Sequence, residues 1–424
     1  MKKHKRTDTR KALITAALSA VAACGASAYE VPLSFFGTNM PPLDFHGFAS
    51  QGFLYSSDYN YLGDTTHGSF QYSEFGLNAA INPFPRTRIS VQGFSFDVGN
   101  VGQYNLSLDY AQAEYTFCDQ LGVRVGRVRR PQGIYNHIQD VDLARTSVLL
   151  PQGIYDSRWR DFSGSLDGGE IFGNFSLGKG GSLSYEAYIG AVNMNKDGGV
   201  ARELQDRAAA LSVGSPFKYS YQGIDQSTIF GVQFWYNTPV DGLRAGVSVG
   251  DMQDFGYELN ISNPFPPGTP GVPLPPGTSQ MHTVGNIIFQ QYSLEYIWRA
   301  WTFQAEYYNY QADGHDYYSF GASDTAAPGN PESWYAGVSY RFNKWVQAGA
   351  YYSEFYGDMN HVDDPANYQK DLAVSLRFDP KDWWIVKIEG HYIHGTGELY
   401  DSFQPTIRDD RGWFMLAMKT TFSF

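Results

Sequence analysis

Apolar and polar residues alternate one by one along much of this chain. In its last stretch, RGWFMLAMKTTFSF from Arg411, residues Phe414, Leu416, Met418, Thr420, Phe422 and Phe424 fall on one face of an extended strand. Met415, Ala417, Lys419, Thr421 and Ser423 fall on the other. Successive strand side chains point to opposite faces, so one face suits lipid and the other suits water. The same period recurs upstream. Trp384, Val386, Ile388 and Tyr392 oppose Lys387, Glu389 and His391. Leu372, Val374, Leu376 and Phe378 oppose Asp371, Ser375 and Arg377, and Trp301, Phe303, Ala305 and Tyr307 oppose Thr302, Gln304 and Glu306. Sixteen such segments are legible: 43–54, 70–81, 88–97, 104–117, 121–129, 162–176, 182–194, 227–238, 242–252, 286–298, 300–311, 332–343, 345–355, 369–379, 383–394 and 411–424. The alternation slips near Tyr110–Ala111 and blurs within 162–176, which predicts bulges there.

The connections alternate in length. Short turns follow the even segments, among them Asn82–Thr87, Asp119–Gln120, Gly178–Gly181, Pro239–Asp241 and Pro380–Asp382. Long loops follow the odd ones: 55–69, 98–103, 130–161, 195–226, 253–285, 312–331, 356–368 and 395–410. An even-stranded membrane barrel has this layout, with short periplasmic turns and long external loops. Closure is required because lipid offers no partner to a free backbone N–H or C=O. The pattern therefore predicts an all-β fold, a 16-stranded antiparallel transmembrane β-barrel. Trp298, Trp301, Trp345, Trp383, Trp384, Tyr55 and Tyr356, near segment ends, fit aromatic girdles.

Composition narrows the alternatives. Only 17% of the 424 residues are charged, against about 25% in ordinary soluble domains. Aromatics reach 16%, yet mean hydropathy is −0.37. No apolar run reaches the roughly 18 residues a membrane helix needs. Net charge is −12, and six of the basic residues lie in the first 28, so the remainder is more acidic still. That sign excludes nucleic acid as a partner.

Residues 1–28 have the three-part layout of a secretory signal peptide. Lys2–Lys11 is basic, Ala12–Cys24 is apolar, and Ala26-Ser27-Ala28 suits cleavage after Ala28, leaving the barrel as 29–424. Val21-Ala22-Ala23-Cys24 is a rival, a lipoprotein box at Cys24. After cleavage only Cys118 remains, so no internal disulfide forms.

The terminal strand ending in Phe424 resembles the assembly signal of Gram-negative outer-membrane porins. The stretch from Val123, VRVGRVRRPQGIYNHIQDVDLARTSVLLPQGIY, resembles the strand-to-loop region of the phosphate-selective porin-like group. FHGFASQGFLYSSDYNYLG from Phe45 is similar to the first strand of its uncharacterised proteobacterial members. The resemblance implies a homotrimer in outer-membrane lipid and lipopolysaccharide, folded by the barrel-assembly machinery. It also implies a third external loop, here 130–161, that folds into the lumen and narrows it. The dense Lys/Arg ladder of a dedicated phosphate channel is missing, so no solute is carried over.

That loop carries Arg130, His137, Asp140, Asp142, Arg145, Asp156, Arg158, Arg160 and Asp161. Charge clusters of this kind set ion selectivity in pores; they equally suit salt bridges that pin the loop. Parity turns Arg88, Arg124, Arg244, Arg341, Arg377, Lys387 and Lys419 to the lumen, opposite Glu74, Asp109, Glu114, Glu186, Glu295, Glu306, Asp371 and Glu389. Arg127 and Arg129 have lipid-face parity, so they belong at the rim or beside a bulge. Arg88, Arg124, Arg130, Asp140, Asp142, Arg145, Arg158 and Arg160 are the candidate constriction residues. The proline-rich 264–277 is expected to be stiff.

No catalytic residues, metal or cofactor are assigned. His391 and His394 differ in parity and make a poor metal pair. His361 with Asp363 and Asp364 reads as a solvated acidic loop. The sequence thus points to a porin passing small hydrophilic solutes and ions. Its alternatives are a channel selective for anions or small organic acids and a structural or adhesive surface barrel.

Overall fold

The computed structural model describes residues 29–31, 34–35, 38–39, 41–195, 198–266, 269, 277–320, 325–399 and 412–424. Residues 1–28, expected to be a signal peptide, with Cys24, and most of the proline-rich loop, lie outside the described residues. Sixteen antiparallel strands form one closed barrel. They are β1 (Leu43–Ser56), β2 (Tyr72–Ile81), β3 (Thr87–Val98), β4 (Ser107–Cys118), β5 (Leu121–Arg129), β6 (Ser165–Ser176), β7 (Ser182–Val192) and β8 (Thr228–Asn237). There follow β9 (Leu243–Asn263), β10 (Gly277–Trp298), β11 (Trp301–Tyr318), β12 (Glu332–Arg341), β13 (Val346–Tyr356), β14 (Tyr368–Lys381), β15 (Trp384–Gly395) and β16 (Gly412–Ser423). Each pairs with the next, and β16 closes on β1 from Met415↔Ser56 to Ser423↔Phe48. Short strands at Tyr29–Val31, Lys218–Ile224 and Thr325–Gly329 extend the same sheet.

The burial pattern inverts that of a water-soluble fold. Ile89, Val91, Val125, Ile171, Ile189, Leu294, Val374 and Phe414 are exposed on the outside. Ser50, Glu74, Gln92, Gln291, Lys387, Glu389 and Lys419 are buried inside. An apolar face this continuous is stable only against lipid or another apolar face. Trp301 packs on Tyr340 at 4.5 Å between centroids, and Trp383 and Trp384 stack on Phe422, building a girdle at the turn end.

Register explains where the sequence pattern slipped. Gln92 pairs with Tyr110 and Gly93 with Leu108, so Asp109 is an extra residue in β4. This is the bulge expected beside Tyr110–Ala111. No bulge exists in β6, whose register is unbroken against both neighbours. The blur there arises because Arg160–Ser163 form a helical turn and Gly168, Gly169 and Gly173 carry no side chain.

Three expected loops are largely structured. β9 and β10 continue past the predicted ends to pair up to Asn263↔Gly277, and β11 runs to Tyr318. A register shift between Met252 and Phe255, with Asp254 at φ 56°, breaks the period and hides the continuation. Beyond it Tyr257, Leu259 and Ile261 resume the alternation and bury against Val200, Leu204 and Ala208. Those last three lie at i, i+4 and i+8 on helix α1 (Gly199–Leu211), inside the predicted loop 195–226.

Barrel closure ends on Phe424. Its backbone N–H donates to Gly47 O (3.0 Å) and its C=O accepts from Gly47 N (3.2 Å). Its ring lies 2.7 Å from where a Cβ on Gly47 would stand. Gly47→Val is therefore expected to destabilise the barrel by about 1–3 kcal/mol through overpacking. The check is the urea midpoint of protein refolded into vesicles, with Gly390→Val as control, since Gly390 has open space at that position.

Candidate functional site: the lumen and its inward loop

The chain leaves β5 at Arg129 and returns to the wall at Ser165, and between them it crosses the lumen. Its first bend docks on strands β8 to β12. Gly133, at φ 58°, accepts from Gln233 Nε2 (3.0 Å), and its N–H donates to Ser248 Oγ (3.2 Å). A Cβ there would collide with Gln291 and Tyr155, so glycine allows the approach. Buried Glu306 accepts from Ile134 N (2.9 Å), Tyr155 Oη (2.6 Å), Ser293 Oγ (2.6 Å) and Tyr335 Oη (3.0 Å).

The loop then reaches the far wall, β14 to β16. Asp142 lies between Lys387 Nζ (3.1 Å) and Lys419 Nζ (3.0 Å) and accepts from Thr421 Oγ1 (2.5 Å). Arg145 adds a contact at 3.4 Å, and Lys419 also bridges to Glu74. Arg377 donates to Leu143 O (2.7 Å), while Glu389 accepts from the N–H groups of Val148 (3.0 Å) and Leu149 (2.9 Å). Burial alone would raise the Asp142 carboxyl, but Lys387, Lys419 and Arg145 overcome it and hold it well below its ordinary value. On the near wall Arg129 and Arg160 each bridge Asp109 and Asp140, at 2.9 to 3.6 Å. Gln92 donates to both acids, and the Arg160 guanidinium lies 3.5 Å over Phe94.

The candidate residues thus fall into distinct places. Asp140, Asp142, Arg145 and Arg160 join the bridges that pin the loop. Arg158 pairs with neighbouring Asp156 at 2.7 Å. Arg124 is ringed by Glu170 (2.6 Å), Glu114 (2.7 Å) and Glu186 (2.9 Å) and lies over Phe172. Arg88 is exposed within the lumen. Arg130 is buried without an acidic partner. Arg127 and Arg129 part company: Arg127 clasps Asp167 on the outer face, whereas Arg129 turns inward.

Chambers remain on both sides of the loop. The turn-end chamber, about 870 Å³, is lined by His46, Arg88, Gln112, Glu114, Arg124, Arg129 and His137. A chamber of about 380 Å³ toward the long loops is lined by Arg130, Arg158, Glu203, Glu398 and a set of aromatic rings. This second chamber had no sequence signal, because Trp159, Phe289, Tyr310 and Glu398 come from four separate segments. The docking partners Glu306, Lys387, Glu389 and Lys419 were legible as lumen-facing by parity, but their partners were not. Burial pushes the Glu203 carboxyl up to about 7. Burial and then Asp156 push Glu398 up to about 8, against Arg158 and a hydrogen bond from Tyr61.

Two outcomes follow. Asp142→Asn leaves Lys387 with uncharged acceptors alone, the amide oxygen and Ser147 O (3.0 Å), and should cost about 3–5 kcal/mol, as for one broken side of a buried pair. Protease cleavage within 130–161 should rise accordingly. Because the Asp142 value is depressed, its contribution is complete above the ordinary aspartate value of about 3.9 and is lost only as pH falls below it. The loop should therefore stay protease-resistant down to about pH 4. Glu203 and Glu398 run the opposite way. Their carboxyls are neutral below about 7 and about 8 and ionise as pH rises through those values. Stability that rests on their neutral forms is complete below the ordinary glutamate value of about 4.3 and is lost progressively as pH rises from there through the raised values. An infrared carboxyl band should titrate there and shrink in Glu398→Gln.

No protein-family model matches the chain, and no curated protein matches it. Its similarity is to solved barrels. A loop-L8 deletion mutant of OmpT, an outer membrane protein of Vibrio cholerae, superposes with TM-score 0.53 at 11% identity, covering 90% of this chain and 99% of that one. In-vitro folded OmpT of the same organism gives 0.52 at 11%, covering 92% and 100%. The outer membrane channel DcaP of Acinetobacter baumannii gives 0.50 at 10%, covering 93% and 100%. At such identities the likeness is one of fold, a closed 16-stranded antiparallel barrel of the outer-membrane type.

Proposed function

We propose that the chain is an outer-membrane channel through which small hydrophilic solutes and ions diffuse passively into the periplasm. The observation that carries this reading is an apolar-faced closed barrel with a polar interior, narrowed by a loop that leaves chambers on both sides. Short turns face the periplasm and long loops the exterior. The segment 1–28 directs export, Phe424 serves the barrel-assembly machinery, and the apolar outer face meets lipid, lipopolysaccharide and two further copies in a homotrimer. On the segment from Val123 we group the chain with the phosphate-selective porin-like proteins. Arg124, within that segment, is ringed by three carboxylates, a setting hostile to phosphate itself.

We assign it no catalytic role. The best-connected histidine, His391, has Nδ1 against Asp371 (2.9 Å) and Nε2 against Glu389 (3.0 Å), so neither nitrogen faces a nucleophile. A selective channel is the second reading, favoured by the number of separate wall strands that fix the loop.

Planar-bilayer conductance across a salt gradient tests the reading. Stepwise insertions in threes are expected. In the double variant Arg88→Gln, Arg124→Gln, the loss of Arg124 leaves Glu114, Glu170 and Glu186 unmatched, so the reversal potential should move toward cation preference. An unchanged potential would put both arginines outside the conduction path. A folded, heat-modifiable but silent barrel would overturn the channel.

A further inference from the structure

Arg130 stands apart from the other arginines of the inward loop. Arg145, Arg158 and Arg160 each bridge an aspartate within 2.7 to 3.4 Å. Arg130 is 6% exposed, no carboxylate among the described residues bridges it, and its Nε has no acceptor. Its backbone is fixed at both ends, with N–H donating to Gly164 O (3.1 Å) and C=O accepting from Asn136 Nδ2 (2.7 Å). The guanidinium lies 5.4 Å from the centroid of the Phe289 ring. A buried charge without a counter-charge is strongly unfavourable, and natural interiors pair such groups or give them a ligand.

The surroundings say what that ligand is. Arg130 lines the chamber of about 380 Å³ together with Trp159, Phe162, Phe289, Tyr308 and Tyr310. That volume falls in the range of small-molecule sites, which are mostly apolar with a few fixed polar groups. One further donor in its lining, the Tyr257 hydroxyl, lacks a partner. Of the other guanidiniums in the lining, Arg158 bridges Asp156 and Arg207 lies over the Tyr257 ring, and the planar fork of the buried, unpaired Arg130 matches one carboxylate in bidentate fashion. The aromatic wall matches a flat apolar body.

We propose that this chamber is a binding site for aromatic carboxylates, with the carboxylate on Arg130 and the ring among Phe289, Tyr308 and Trp159. The inference rests on the channel reading only for the route by which the ligand moves on; the site itself stands on the unpaired guanidinium and its aromatic wall.

Isothermal titration of benzoate into the detergent-folded protein, read without any conductance, tests it. Wild type should bind benzoate at least tenfold more tightly than benzyl alcohol, acetate or inorganic phosphate. Arg130→Met should lose that preference while its heat-modifiability is kept. Equal binding of benzoate and benzyl alcohol by wild type would overturn the proposal without any variant. So would undiminished benzoate binding by a folded Arg130→Met, or phosphate binding tighter than benzoate. A protein that conducts in bilayers but shows no benzoate preference would sink this inference and leave the channel standing. One that shows the preference but does not conduct supports the site and removes the channel.

Discussion

A strand in lipid must hand each backbone N–H and C=O to a neighbouring strand, and that requirement governs everything else in this molecule. It is met by closure, with β16 on β1. Closure in turn fixes which face of each strand meets lipid, because a side chain cannot change sides without a change of register. The polar half of every strand is gathered into one enclosed volume. There Glu74, Glu306, Lys387, Glu389 and Lys419 are removed from bulk water and must find partners.

The inward loop supplies many of those partners. Asp142 answers two wall lysines at once, and the N–H groups of Val148 and Leu149 answer Glu389. The loop is therefore more than an obstruction placed in a finished tube. It satisfies charges that the wall alone would leave stranded, and the wall in turn gives a stretch with little regular structure a defined course. Wherever loop and wall match in charge, the side chains neutralise one another. Where they do not, at Arg130, a charge is left to face an aromatic-lined space.

Much of the fold was legible because a β-barrel writes its topology in a short local code. Period two gives the faces, turn residues give the hairpins, and loop lengths give the two ends. The code failed where it was locally interrupted. The shift after Met252 hid the extension of β9, and glycines in β6 imitated a bulge. It failed more deeply at the site. Parity turned Lys387 and Lys419 inward, yet nothing near them in the chain announces Asp142, which lies 245 residues before Lys387. Arg130 and Arg160 look alike in sequence; one is paired and the other is not because a bulge brings Asp109 to only one of them.

That same separation along the chain has a consequence in time. Lys387, Glu389, Lys419 and Thr421 lie on the last two strands to be synthesised, and the loop they receive is made long before them. Contacts so distant in sequence form late, since the entropy of closing the intervening chain must be met first. Only with β14 to β16 in place do residues 142–149 have their whole far wall. The far side of the narrow waist is thus completed by the same end of the chain that seals the seam.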